Sequence, residues 1–171
     1  MTNATTPIAP PTPVVDVKTF WRTLGERATG ITIVTARGDD GPTGFLGLSA
    51  AHVTADPPTL LVSIDRKTSA LAAVLSRRHF AVNYLPAGAE AVSDAFSGKS
   101  GLSGADRFVE GQWDTLATGA PVFKDALGAF DCMVVDIIDR GDISIVIGTA
   151  VAARADSSRP PLIFFRGKVQ G

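Results

Sequence analysis

Thr43–Ser69 reads TGFLGLSAAHVTADPPTLLVSIDRKTS. Two strand-like runs, Thr43–Val53 and Thr59–Asp65, are hinged by Asp56-Pro57-Pro58, because proline fixes φ and donates no hydrogen bond to a ladder. The first run is built from small residues (Gly44, Gly47, Ser49, Ala50, Ala51) set among Phe45, Leu46 and Leu48. Glycine inside a strand marks a bend or a close approach by a ligand or another backbone. The second run ends in Asp65-Arg66-Lys67-Thr68-Ser69, two cations followed by hydroxyls able to cap a helix. Donors, hydroxyls and cations at one strand end suit a phosphate-bearing ligand. A bent barrel strand followed by a capped helix accounts for the same letters, and this stretch alone does not choose between the two.

Upstream, residues 1–15 are uncharged and rich in Thr, Ala and Pro, which predicts a flexible tail before a single domain over residues 16–171. Asp16 offers an N-cap, and Val17, Phe20, Trp21, Leu24 and Ala28 recur at helical spacing up to Gly30. Phe20 and Trp21 are expected to pack this helix onto the body. Ile31–Arg37 reads as a strand, and Gly38–Pro42 as a hairpin turn.

Downstream, Thr68–Arg78 carries a helical stripe of Leu71, Val74 and Leu75 with arginines at the favourable C-terminal end. His79–Leu85 alternates as a strand, with His79 expected at the surface. A short helix is predicted over Ala89–Phe96, another helical turn at Asp106–Phe108, and an irregular segment over Gly111–Asp125. Ala126–Asp139 and Ile143–Arg154 are strands about an Arg140-Gly141-Asp142 turn, with Ile143, Ile145 and Ile147 on one face, and Leu162–Phe165 is a last short strand. Six or seven strands with few helices predict a mainly β (α+β) fold built on a closed or nearly closed antiparallel barrel.

At 171 residues one domain is the default. A net charge of −1 argues against nucleic-acid or anionic-membrane partners, since no basic excess drives phosphate-backbone binding. One cysteine, Cys132, excludes an internal disulfide and fits a reducing, cytoplasmic compartment; it is expected to be an inert packed thiol. Two distant histidines, His52 and His79, give no metal-ligand spacing. No basic segment followed by an apolar run predicts a secretory signal, and no run of about 18 apolar residues predicts a membrane span.

Gly98-Lys99-Ser100 is not a P-loop, because the glycine needed five positions before Gly98 is Ser93 and no strand leads into it. No nucleophile elbow occurs, and no pair of carboxylates stands out as an acid and a base. Read from residues alone, the chain is a β-barrel with a plausible anion site.

Read together, several segments are similar to the flavin reductase-like family of flavin-binding split barrels. They are Phe20 with Ala28–Thr35, Gly44 through Asp56-Pro57-Pro58, Val62–Ser69, Phe80–Asn83, Phe96-Ser97, Asp106-Arg107-Phe108, Gly119–Val122, and Gly141-Asp142 with Gly148. The resemblance covers Phe20 to Lys168. It implies a Greek-key split barrel with a few flanking helices, which binds FMN or FAD as a homodimer. It also implies reduction of the flavin by NADH or NADPH and delivery to a partner monooxygenase. The cofactor-binding set it implies is Leu46, Gly47, Leu48 and Ser49 beside the ring, then His52, Asp65, Arg66, Lys67, Thr68, Ser69 and Asn83. Ser97, Lys99 and Arg107 would serve the phosphate. No catalytic side chain and no metal is implied, because the cofactors carry the hydride chemistry; His52 is a candidate for touching flavin or nicotinamide.

Three departures from the family pattern bear on function. Leu46-Gly47-Leu48 replaces a polar Thr-Ala-Asn/Ser run, which removes side-chain hydrogen bonds to the ring. Ile143 follows Gly141-Asp142 where many family reductases carry a histidine near the nicotinamide. His52 stands where a small hydroxyl residue is common. These departures keep a second expectation open, a flavin-binding carrier with little NAD(P)H reductase activity.

Overall fold

The structure is a computed structural model and describes residues 12–171; most of the expected tail, residues 1–11, lies outside them. The chain runs through α1 (Val17–Leu24), β1 (Thr29–Gly30), β2 (Thr32–Gly38), β3 (Gly41–Leu46), β4 (Ala51–Ala55) and β5 (Pro58–Asp65). Next come α2 (Ser69–Arg77), β6 (His79–Tyr84), α3 (Glu90–Ser97) and a 3-10 turn at Gly104–Arg107. The remainder is strand: β7 (Trp113–Thr115), β8 (Pro121–Phe123), β9 (Gly128–Arg140), β10 (Ile143–Ala155), β11 (Ile163–Phe165) and β12 (Lys168–Gln170).

Seven strands form one antiparallel sheet in the order β3-β2-β6-β9-β10-β5-β4. β1, β11 and β12 make a three-stranded sheet, and β7 pairs with β8. Among the described residues the large sheet does not close through hydrogen bonds, so its two edges are β3 and β4, neighbours in sequence. The predicted run Thr43–Val53 is therefore two strands. It breaks at Gly47, whose N–H donates to Thr32 O at 2.7 Å, and turns where Ala50 N donates to Gly47 O.

Alternation along the strands divides the core between the two faces. One side gathers Ile31, Ile33, Leu85, Phe96, Val122 and Leu162. The other gathers Val34, Val62, Ile64, Phe80, Val82, Cys132 and Val146. On β5 and β10 the outward row pairs Leu61 with Ile147, Ser63 with Ile145 and Asp65 with Ile143.

Asp16 caps α1 by accepting from Thr19 N at 3.0 Å, as expected. The helix stops at Leu24, short of the Gly30 limit, and buries no residue. Phe20 and Trp21 thus are not buried against the body; they are 53% and 63% exposed. The segment expected to be irregular contains the β7–β8 hairpin, whose three-residue strands are too short to leave a periodic signal.

Candidate functional site

Strand β3 is a rail on which the candidate residues converge. The Thr43 hydroxyl lies 3.0 Å from the Ser69 hydroxyl at the start of α2. One residue on, the Gly44 carbonyl accepts from Arg107 Nη1 at 3.0 Å, and Arg107 Nε donates to Leu102 O at 3.0 Å. Only glycine fits at position 44, since a Cβ there would stand 2.7 Å from Val34 O and 3.0 Å from Phe96 Cε1. Thr43 and Ser69 also line a cleft of roughly 300 Å³ with Gly104 and Ala105 of the 3-10 turn.

At its other end β3 delivers Leu46 to a cavity of roughly 640 Å³. Leu48, Ser49, Trp21, Leu24, Arg27 and Phe164 share its walls, which are mostly apolar. Gly47 is buried here, but its close neighbour is the core itself: a Cβ would meet Val34 Cγ2 at 2.5 Å. The Ser49 hydroxyl accepts from Ser63 N at 3.2 Å and so ties this turn to β5.

The turn after β5 is held at both ends. Asp65 accepts from Lys67 N through its carboxylate and from Thr68 N through its carbonyl, each at 2.9 Å. Arg66 N donates to Asp142 O, and its guanidinium pairs with Asp139 at 2.9 Å, while Ser144 Oγ bonds the same carboxylate. The turn is therefore clamped to the β9–β10 hairpin tip. Thr68 occupies the N-cap of α2 without a side-chain cap bond, so the first-turn amides of that helix carry their positive end toward the Ser69 side. At the C-terminus of α3, Ser97 Oγ donates to Asp94 O, and Lys99 stands 3.6 Å from the Asp94 carboxylate, both exposed.

Residues 24–171, which include all of these groups except Trp21, match the model of the flavin reductase like domain. This chain belongs to that family. The FMN reductase (NADH) RutF of Ancylobacter novellus is 35% identical over 153 residues, covering 90% of this chain and 83% of the relative. BorF, the flavin reductase component of a bacterial two-component tryptophan halogenase, superposes with a TM-score of 0.83 at 29% identity, over 91% of this chain and 98% of that one. Nitrilotriacetate monooxygenase component B from Mycobacterium thermoresistibile gives 0.80 at 32% identity, over 90% and 84% of the two chains.

Two residues of the set implied by the family resemblance stand apart. Asn83 is fully buried, and its amide is spent inside the protein. Nδ2 donates to Ile33 O and Thr35 Oγ1, and Oδ1 accepts from Phe123 N at 2.8 Å. It is a core residue and leaves the cofactor-binding set. His52 is exposed on edge strand β4, opposite Leu60, and is not among the residues lining the cavity. Trp21, Leu24, Arg27 and Phe164 were missed, because chain segments far apart in sequence build the cavity wall.

His79 is not at the surface: it is 8% exposed, and its Nδ1 has no hydrogen-bond partner among the described residues. Burial pushes its pKa below the ordinary imidazole value, opposed by nearby Asp131 and reinforced by Arg77. Cys132 is fully buried, and desolvation with the adjacent Asp131 charge pushes its thiol up to about 12. Its packing leaves it no thiolate at neutral pH.

Proposed function

We propose that this chain is an NADH-dependent flavin reductase that supplies reduced flavin to a separate oxygenase. The observation that carries the reading is the convergence on β3 of an apolar cavity at Leu46 and a polar, cationic end at Thr43, Ser69 and Arg107. The residues fit FMN. Leu46, Leu48 and Phe164 suit a flat ring system, and hydroxyls, helix amides and a guanidinium suit a phosphate. Leu46, Gly47, Leu48 and Ser49 would hold the ring, with backbone rather than side-chain hydrogen bonds. The turn Asp65 through Ser69 would line the flavin, its hydroxyls and amides serving the ring or ribityl chain, and Ser97, Lys99 and Arg107 would serve the phosphate.

When bound, flavin supplies the hydride acceptor for NADH, so the protein needs no side-chain acid or base at the reacting atoms. The chain's own work is positioning. The apolar cavity wall excludes water, and the Arg66–Asp139–Ser144 clamp fixes the turn beside Ile143. FMN and NADH are the pair named for the Ancylobacter novellus relative, and an oxygenase or halogenase partner follows the systems to which the two solved neighbours belong.

The finer architecture we propose is a Greek-key split barrel, supported by the seven-stranded sheet whose edges β3 and β4 are joined by a short turn. We also propose a homodimer. What supports it is that strands β4, β9 and β10 carry Val53, Met133, Val135 and Val151 at 43–56% exposure, apolar side chains that a second copy could cover. A cytoplasmic location accords with the single reduced thiol.

Ile143 favours a second reading, a flavin carrier without appreciable turnover, because an apolar side chain faces Asp65 where many family reductases place a histidine. NADH and NADPH oxidation by the purified protein, with and without added FMN or FAD, separates the two. Flavin-dependent turnover establishes the reductase, and flavin binding with no NAD(P)H oxidation establishes the carrier.

A further inference from the structure

We propose that Asn83 is a positioning residue for the phosphate end of the flavin site, acting through an aromatic box rather than by touching the ligand. The proposal rests on the assignment of Ser97, Lys99 and Arg107 to that end. Asn83 sits near the C-terminal end of β6, where its amide bridges β2 and the β7–β8 hairpin: it grips Ile33 and Thr35 on one side and Phe123 N on the other. Thr35 Oγ1 donates to Pro121 O from the same patch, and buried Asp131 accepts from Ala117 N, Thr118 N and the Thr118 hydroxyl. Three buried polar side chains thus pin the segment from Ala117 to Phe123 against the sheet. Each is fully satisfied, and that is the condition under which a buried polar network fixes one geometry.

From Phe123 the order passes outward through rings. The Phe123 ring lies 5.4 Å from Trp113, and Trp113 lies 5.4 Å from Phe96 and 4.8 Å from Phe108. Phe96 and Phe108 meet edge to face at 5.1 Å. Trp113 Nε1 is buried without a partner among the described residues, so the indole is located by ring packing alone. The two outer rings are chain neighbours of the assigned groups: Phe96 precedes Ser97, and Phe108 follows Arg107. Phe96 also fills the space beside Gly44, whose carbonyl holds the Arg107 guanidinium. A shift of the hairpin at Phe123 therefore reaches both sides of the phosphate end, whereas Leu46–Ser49 keep anchors of their own in the Ile33–Leu46 pairing, the Gly47 N to Thr32 O bond and the Ser49–Ser63 bond.

Flavin-fluorescence titration of the full chain tests this with two probes, FMN and riboflavin, which differ by the phosphate alone. Asn83→Ser and Trp113→Leu are expected to weaken FMN binding about tenfold and riboflavin binding less than about twofold, tenfold being about 1.4 kcal/mol. Trp113→Phe, which keeps a ring in the box, is expected to restore FMN affinity to within about twofold of the unsubstituted chain. Equal loss for both flavins, or no loss for FMN, overturns the proposal. Should Asn83→Ser fail to fold, Trp113→Leu decides alone. A parent chain that binds FMN but never oxidises NADH defeats the reductase reading and leaves this one standing, whereas a parent chain that binds neither flavin defeats both.

Discussion

Arg107 Nη1 and the carbonyl oxygen of Gly44 meet at 3.0 Å across 63 residues of chain. The bond sets a half-buried guanidinium against the strand that also carries Thr43 and Leu46, with Nε already committed to Leu102 O. Arg107→Ala removes both the tether and the cation. The KM for FMN is expected to rise about tenfold with kcat nearly unchanged, because binding rather than the chemical step loses the interaction. Arg107→Lys recovers part of the loss, since an ammonium supplies charge but not the planar fork. Steady-state kinetics with varied FMN checks both.

Gly44→Ala tests the crowding on the same strand. A methyl group 2.7 Å from Val34 O cannot be accommodated without moving backbone, so stability is expected to fall by about 1–3 kcal/mol, the usual cost of overpacking. Thermal melts of the two proteins read this directly.

His79 gives stability a pH dependence. Its folded pKa lies below the unfolded value, so the unfolded chain takes up the proton first. The full contribution is present above about pH 6.5 and declines as pH falls through that value toward the folded pKa. Urea midpoints measured at about pH 7.5 and about pH 5.5 are expected to drop on the acid side, and His79→Leu is expected to flatten that part of the profile.

Cys132 is expected to resist thiol reagents in the native state at neutral pH and to react at once in denaturant. A thiol raised to about 12 and buried at the centre of the sheet offers neither thiolate nor access. Ellman titration with and without guanidinium checks it.

Periodicity found α2, the alternating strands and the Ile143, Ile145, Ile147 row, because each is a local pattern written by one element burying one face; the same spacing found α1, although that helix buries no residue. The resemblance brought Leu46, Ser69 and Arg107 into one list, and the structure places them along β3. What failed was whatever distant chain decides. Two arginines before His79 read as surface, yet it is buried where β6 pairs with strand β9, opposite Met133. Asn83 stands within a matching motif, but its partners Ile33 and Phe123 lie 50 and 40 residues away. Trp21 sits on a helix face that local spacing marks as inward, while its real neighbour is the cavity formed by Leu46, Leu48 and Phe164.

β3 and β4 are the two free rims of one sheet, and Gly47–Ala50 is the short covalent tether between them. Among the described residues no ladder joins the rims directly, so the tether is the short path between them. A ring lodged against Leu48 and Ser49 therefore restrains both rims at once. Amide exchange along Gly41–Leu46 and Ala51–Ala55 should slow in concert when flavin binds, although the two strands lie at opposite ends of the hydrogen-bonded order.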